Sequence, residues 1–196
     1  MHEAFNHSRY LAKKKFFSFL GDTFKILDSS GNEVLYCKLK AFKLKEDIRI
    51  FSDTSAGNEL LRMSARSVLD FGATYDVYDS GENVKLGALR RNALKSFIKD
   101  EWAILDTNDS EIGTIKEDSG ALAIVRRIIP FASSAICPQV HVGDIGGQPV
   151  LQFRQTRNIF RSRKHLDFSM DTNGIFDRRL GIAAAILFAA IEGKQD

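Results

Sequence analysis

A chain of 196 residues with 44% apolar residues is long enough for one sizeable core, and 28 basic against 25 acidic residues leave a net charge of only +3. Such a balance neither requires a nucleic-acid partner, and none is expected, nor excludes an anionic one, so only local clustering of charge carries meaning. Two cysteines, Cys37 and Cys137, are too few for a disulfide framework and lack metal-ligand spacing, which favours a reducing, cytoplasmic setting.

In chain order, Met1 to Tyr10 mixes His2, Glu3, Asn6, His7 and Arg9 and offers no apolar run for a signal peptide, so export is not expected. Beyond it, 15 Phe against 3 Pro point to many short, half-buried strands, because aromatic side chains suit a pleated surface and Pro cannot donate to a ladder. Three segments then repeat one pattern. Phe24 and Ile26 precede Asp28, Gly31 and Val34; Tyr75 and Val77 precede Asp79, Gly81 and Val84; Val140 and Val142 precede Asp144, Gly146, Gly147 and Val150. Each segment continues to a second turn that opens with the same dipeptide, Asp53-Thr54, Asp106-Thr107 and Asp171-Thr172. From the second segment to the third both Asp positions move by 65 residues, and from the first to the second by 51 and 53. Offsets held together in this way mark a repeat, near 22–63, 74–115 and 139–180, of two hairpins per unit.

Three units of four strands predict about twelve strands in one domain over 1–196. Three propeller blades would fall short of the usual minimum of about four, and a propeller leaves the chain's last segment unexplained. Closure into a barrel removes the sheet edges and is the expected solution. Residues Leu180 to Ile191 are apolar on every face at helical spacing, so a helix over about 176–192 must be buried. The uncharged run is 12 residues where a membrane span needs about 20, so no transmembrane span is expected. A slim, Ala-rich helix fits inside the ring of strands.

Several of these segments resemble a known family. Tyr10-Leu-Ala-Lys-Lys-Lys15 with Phe17-Ser-Phe-Leu-Gly-Asp22, then Phe24-Lys-Ile-Leu-Asp28 and Gly31, resemble the start of LURP-one-related and phospholipid scramblase-like proteins of the tubby C-terminal-like superfamily. The likeness continues through Arg126-Arg-Ile-Ile-Pro130, Pro138 and Asp177-Arg-Arg-Leu-Gly-Ile-Ala-Ala-Ala185. It implies a mainly β fold, a twelve-stranded closed β-barrel around a central hydrophobic C-terminal α-helix. It implies less about activity, since tubby-like domains bind phosphoinositides, scramblases are linked to calcium-dependent lipid movement, and fold alone selects neither.

The most suggestive surface feature is the basic run Arg154, Arg157, Arg161, Arg163 and Lys164 with His165, which has no acid between Leu151 and His165. On a strand, Arg161, Arg163 and His165 would share one face and could hold lipid phosphates. The plainer reading is a solvated strand face that discourages edge pairing. Lys13, Lys14 and Lys15 form a second small cluster, and Arg90, Arg91 and Lys95 a third; each alone reads as solvation. The apolar stretch Ala121 to Cys137, broken by Arg126-Arg127 and Pro130, reads as a strand and covering loop in preference to a segment resting on a bilayer. Asp167, Asp171 and Asp177 lie where the scramblase resemblance implies a calcium site, but calcium wants about six to eight oxygens and usually a closing Glu. No Glu closes the loop here, and Asp171-Thr-Asn-Gly174 reads as a turn.

No catalytic pattern stands out: His2, His7, His141 and His165 are scattered, and neither a Gly-x-Ser-x-Gly elbow nor a Gly-rich phosphate loop occurs. The expectation is a non-catalytic binding module without a cofactor, cytoplasmic and peripheral to the membrane, that meets anionic phospholipid or phosphoinositide headgroups. The alternatives are a cytosolic protein-interaction domain with a protein partner and a scramblase-type lipid mover, the last requiring the final helix to enter the bilayer.

Overall fold

The computed structural model describes residues 1–15, 23–39, 47–67, 73–92, 101–117, 139–158 and 161–192. Among these, alternation of inward and outward side chains builds twelve strands: β1 (Arg9–Lys15), β2 (Thr23–Leu27), β3 (Glu33–Lys38), β4 (Asp47–Phe51), β5 (Glu59–Ala65), β6 (Thr74–Asp79), β7 (Val84–Arg91), β8 (Glu101–Leu105), β9 (Glu111–Glu117), β10 (Gln139–Ile145), β11 (Gln148–Asn158) and β12 (Arg161–Asp167). Each pairs antiparallel with its sequence neighbours, and β1 pairs with β12 with Tyr10 opposite Leu166, so the sheet closes without a free edge. A short 3-10 turn (Glu3–Phe5) precedes β1, and one α-helix, α1 (Arg178–Glu192), follows β12. Among the described residues, the expected mainly β barrel with a C-terminal helix is the architecture found.

The strand layout differs from the expected three equal units. The turn after Asp171 leads into α1, not into a strand, so the third unit ends at β12 and the position its fourth strand would fill is taken by β1 from the N-terminal side. The recurring Asp residues also acquire a physical reason. Asp28 Oδ1 accepts from Ser30 and Asn32 N–H, Asp53 Oδ1 from Ser55 N–H, Asp79 Oδ1 from Gly81 and Glu82 N–H, Asp106 Oδ1 from Asn108 and Ser110 N–H, and Asp144 Oδ1 from Gly147 N–H. A carboxylate that accepts from amides a few residues ahead tightens a turn, which is why the same residue type returns at the same end of these five hairpins. Asp171 does the same for Ile175 and Phe176 N–H at the approach to α1.

Asp177, which the expected helix over about 176–192 would include, stands just outside α1 and caps it: its Oδ1 accepts from Arg179 N–H at 2.9 Å. Arg179 donates to Asp79 Oδ2 at 2.6 Å, while Arg178 donates to the carbonyls of Asn6 and His7, so the helix start is tied to both β6 and the N-terminal turn. Inside the barrel Leu180, Ile182, Ile186, Leu187 and Phe188 are buried, and Ala183, Ala184, Ala185 and Ala190 keep the helix narrow. Each large apolar side chain so enclosed contributes roughly 2 kcal/mol relative to exposure. Removal of water from this helix is the main term that holds the strands around it.

On the outer wall Arg66 donates to Asp76 at 2.6 Å and to Asp109 at 2.5 Å, and Lys85 reaches Asp109 at 2.7 Å. Hydrogen bonds from Arg66, then Lys85, pull the Asp109 carboxyl down to about 2. Burial works against the same effect at Asp76, but Arg66 and Lys85 outweigh it and its pKa is also lowered. A carboxylate depressed by folding lends stability that is fully present above its unfolded pKa of about 3.9 and fades as pH falls toward the folded value. The denaturant midpoint is therefore expected to drop as pH is lowered from about 4 to about 2. In Arg66→Gln that acid slope should be shallower; an identical slope in the two proteins would show that the network contributes nothing.

Candidate functional site

The closing seam of the barrel gathers cations that lie far apart in the chain. In register, Lys25 on β2 faces Lys13 on β1, Lys13 faces Arg163 on β12, and Arg154 on β11 faces His165 on β12. Their sequence neighbours Phe24, Ile26, Ala12, Leu166 and Phe153 are buried in the core, so period-two alternation puts this set on the outer wall, where Lys25, Arg154, Arg163 and His165 are exposed and Lys13 half-exposed. Directly opposed residues on one face have Cβ atoms about 5 Å apart, a spacing at which like charges repel. Four neighbouring strands thus form one positive stripe.

Acids at its border are already engaged. Lys25 Nζ bonds Glu33 at 2.6 Å, and Asp167 accepts from Arg9 at 3.0 Å and from Ser169. Among the described residues none forms an ion pair with Lys13, Arg154 or Arg163. The field is visible at His165, whose pKa is lowered first by partial burial and then by Arg163 and Arg154.

The sequence grouping of basic residues divides on this wall. Arg154 and Arg163 belong to it, and Lys13 joins from the second cluster. Arg157 and Arg161 occupy register positions opposite Ser162 and Asn158, and their side chains lie outside the described residues. Lys164 does not share the outer surface: it is 2% exposed, with Nζ 5.5 Å from the centre of the Phe188 ring inside the barrel. Strand alternation turns it inward between outward Arg163 and His165. Of the second cluster, Lys14 takes the opposite parity to Lys13, and the Lys15 side chain lies outside the described residues. In the third cluster Arg90 is held by Glu111 at 3.0 Å, Arg91 is half-buried, and Lys95 is outside the described residues. The segment Ala121 to Cys137 also lies outside them.

The three carboxylates weighed for calcium have other work. Asp167 holds Ser169 and Arg9, Asp171 caps the approach to α1, and Asp177 caps α1 while pairing with Arg179 at 2.6 Å. Among the described residues no three His, Cys, Asp or Glu side chains are placed together for a metal. His2 accepts from Ala4 N–H as a turn cap, His7 packs edge-on against Tyr10, and His141 is buried 5.6 Å from Phe188. Burial pushes the Cys37 thiol well up, away from a reactive thiolate.

Sequence reading had a partial signal for this site. Arg163 and His165 alternate visibly, but their union with Lys13 and Lys25 follows only from β1 pairing with β12, a contact across nearly the whole chain. Among the described residues no helix is long and apolar enough to cross a membrane, and α1 is a 15-residue helix enclosed by strands.

Comparison with known proteins agrees with the architecture. Neither the curated proteins nor the solved structures contain a match to the chain. The family model described as LURP-one-related matches residues 34–189, from β3 to the last turns of α1. With that match covering most of its length, and with a closed twelve-stranded barrel around an apolar C-terminal helix, the chain belongs to the LURP-one-related family.

Proposed function

We propose that this barrel is a non-catalytic module that docks on anionic phospholipid surfaces, phosphoinositide headgroups included, through the outer wall of β2, β1, β12 and β11. The observation that carries the reading is the register that brings Lys13, Arg154 and Arg163 together with no carboxylate partner among the described residues. Basic residues near an anionic leaflet contribute roughly 1 kcal/mol each, so three or four of them suffice for reversible peripheral binding at low salt. Arg adds a planar fork of donors that matches phosphate oxygens. The lipid-mover alternative finds less support, because it needs α1 to leave a barrel whose strands bury nearly all of its apolar side chains.

Vesicle flotation tests the proposal. The full chain should float with vesicles containing a quarter phosphatidylserine at low salt, stay behind with neutral phosphatidylcholine vesicles, and be released as salt is raised. Equal partitioning onto neutral and anionic vesicles would sink the reading and leave the protein-interaction alternative.

A further inference from the structure

We infer that Arg154, Arg163 and His165 form one oxyanion site for a phosphate ester, in which His165 takes up a proton as the anion binds, so that the wall grips anions more tightly at mildly acidic pH. The inference rests on the lipid-surface reading and names the chemistry and regulation of that same wall.

The geometry comes first. Arg154 lies directly across from His165, with Cβ atoms about 5 Å apart, and Arg163 lies two residues along the same face of β12, about 7 Å away. The diagonal from Arg154 to Arg163 is about 7–8 Å. A tetrahedral phosphate group placed over this triangle can accept from both guanidinium forks and from an imidazolium N–H at once. All three side chains are exposed, so an anion can reach them from solvent or from a membrane surface.

The surroundings of His165 favour proton uptake only when an anion is present. On its own strand it is flanked by Arg163 and Asp167; on β11 it faces Arg154, with Gln152 and Thr156 at the diagonals; on β1 it faces Leu11, with Arg9 and Lys13 at the diagonals. Asp167 is the one acid in this ring, and it is bonded to Arg9 and Ser169. Without an anion, partial burial and then the two arginines hold the imidazole below its ordinary value of about 6.5. A bound phosphate ester cancels the arginine charge and adds a negative partner, which raises the pKa. Linkage fixes the sign: affinity rises as pH falls through the bound-state pKa and levels off below the free-state pKa.

The test uses phosphatidylglycerol vesicles, because a phosphodiester keeps one negative charge between pH 5.5 and 7.5. Partitioning of the full chain should rise roughly three- to tenfold between pH 7.5 and 5.5. His165→Gln should lose most of that rise. In a second arm, NMR follows the His165 ring of the unmodified protein with pH, with and without the soluble headgroup glycerophosphoglycerol, which should raise its pKa by at least half a unit. Anionic binding with the same pH dependence in His165→Gln, together with an unmoved His165 titration, would overturn this inference and leave the membrane reading standing. A raised His165 titration with the soluble headgroup but no vesicle preference would support the site and reject the membrane as its source. Absence of both effects would overturn the two together.

Discussion

Gly181→Val should lower the thermal midpoint by roughly 6–12 °C or prevent folding, a loss of about 3 kcal/mol or more. A Cβ built on Gly181 would sit 2.5 Å from Phe168 Cε1, 2.8 Å from Phe168 Cζ and 3.0 Å from Phe176 Cε1. Neither ring has room to yield. Phe168 is 1% exposed, its N–H donates to Ser8 at 2.8 Å, and its ring stacks on Phe176 at 6.4 Å and meets Tyr10 edge-on at 6.0 Å. Gly181→Ala is the discriminating case. Helix propensity alone predicts a gain of about 1 kcal/mol, whereas overpacking predicts a loss of about 1–3 kcal/mol. Differential scanning calorimetry should report the loss, and the Phe168→Leu background should return part of it, because the pair is in contact and its effects are not additive. A more stable Gly181→Ala would mean that the helix can shift to make room.

The largest functional effect is expected from Arg154→Glu with Arg163→Glu. If the basic wall docks on lipid as proposed, this pair of reversals removes two of its cations and adds two anions, worth about 4 kcal/mol near an anionic leaflet, so vesicle affinity should fall at least about 100-fold. The matched control is Arg49→Glu with Arg90→Glu, on β4 and β7, which changes total charge equally from outside that wall. It should retain most of the affinity. Equal losses in the two doubles would trace binding to net charge and not to the β2–β1–β12–β11 stripe. Both pairs are on exposed side chains, and circular dichroism should show unchanged folding before binding is compared.

Much of this architecture can be read from residues that act locally. Asp28, Asp79 and Asp144 mark hairpins because each carboxylate caps its own turn, and that chemistry needs no distant partner. The burial of α1 is equally legible, since Ile182 to Leu187 offers no polar face for solvent. What the sequence hides depends on pairing between chain ends. The twelfth strand position belongs to β1 because Leu11 and Lys13 meet His165 and Arg163, and no local pattern around Tyr10 announces that partner. The site was half-visible for the same reason: a run of basic residues shows charge but not which side chains turn inward, and Lys164 is lost to the interior while Lys13 is gained from the other end.

The bond between the first strand and the last has a consequence for how the chain acquires its shape. Tyr10 must wait for Leu166, and nearly the whole polypeptide must be synthesised before the cylinder can be sealed. Until then β1 presents an open ladder and the greasy plug has yet to leave the ribosome, so contacts distant in sequence set the pace. The basic stripe straddles that final suture and comes into being only when β1 and β12 have met.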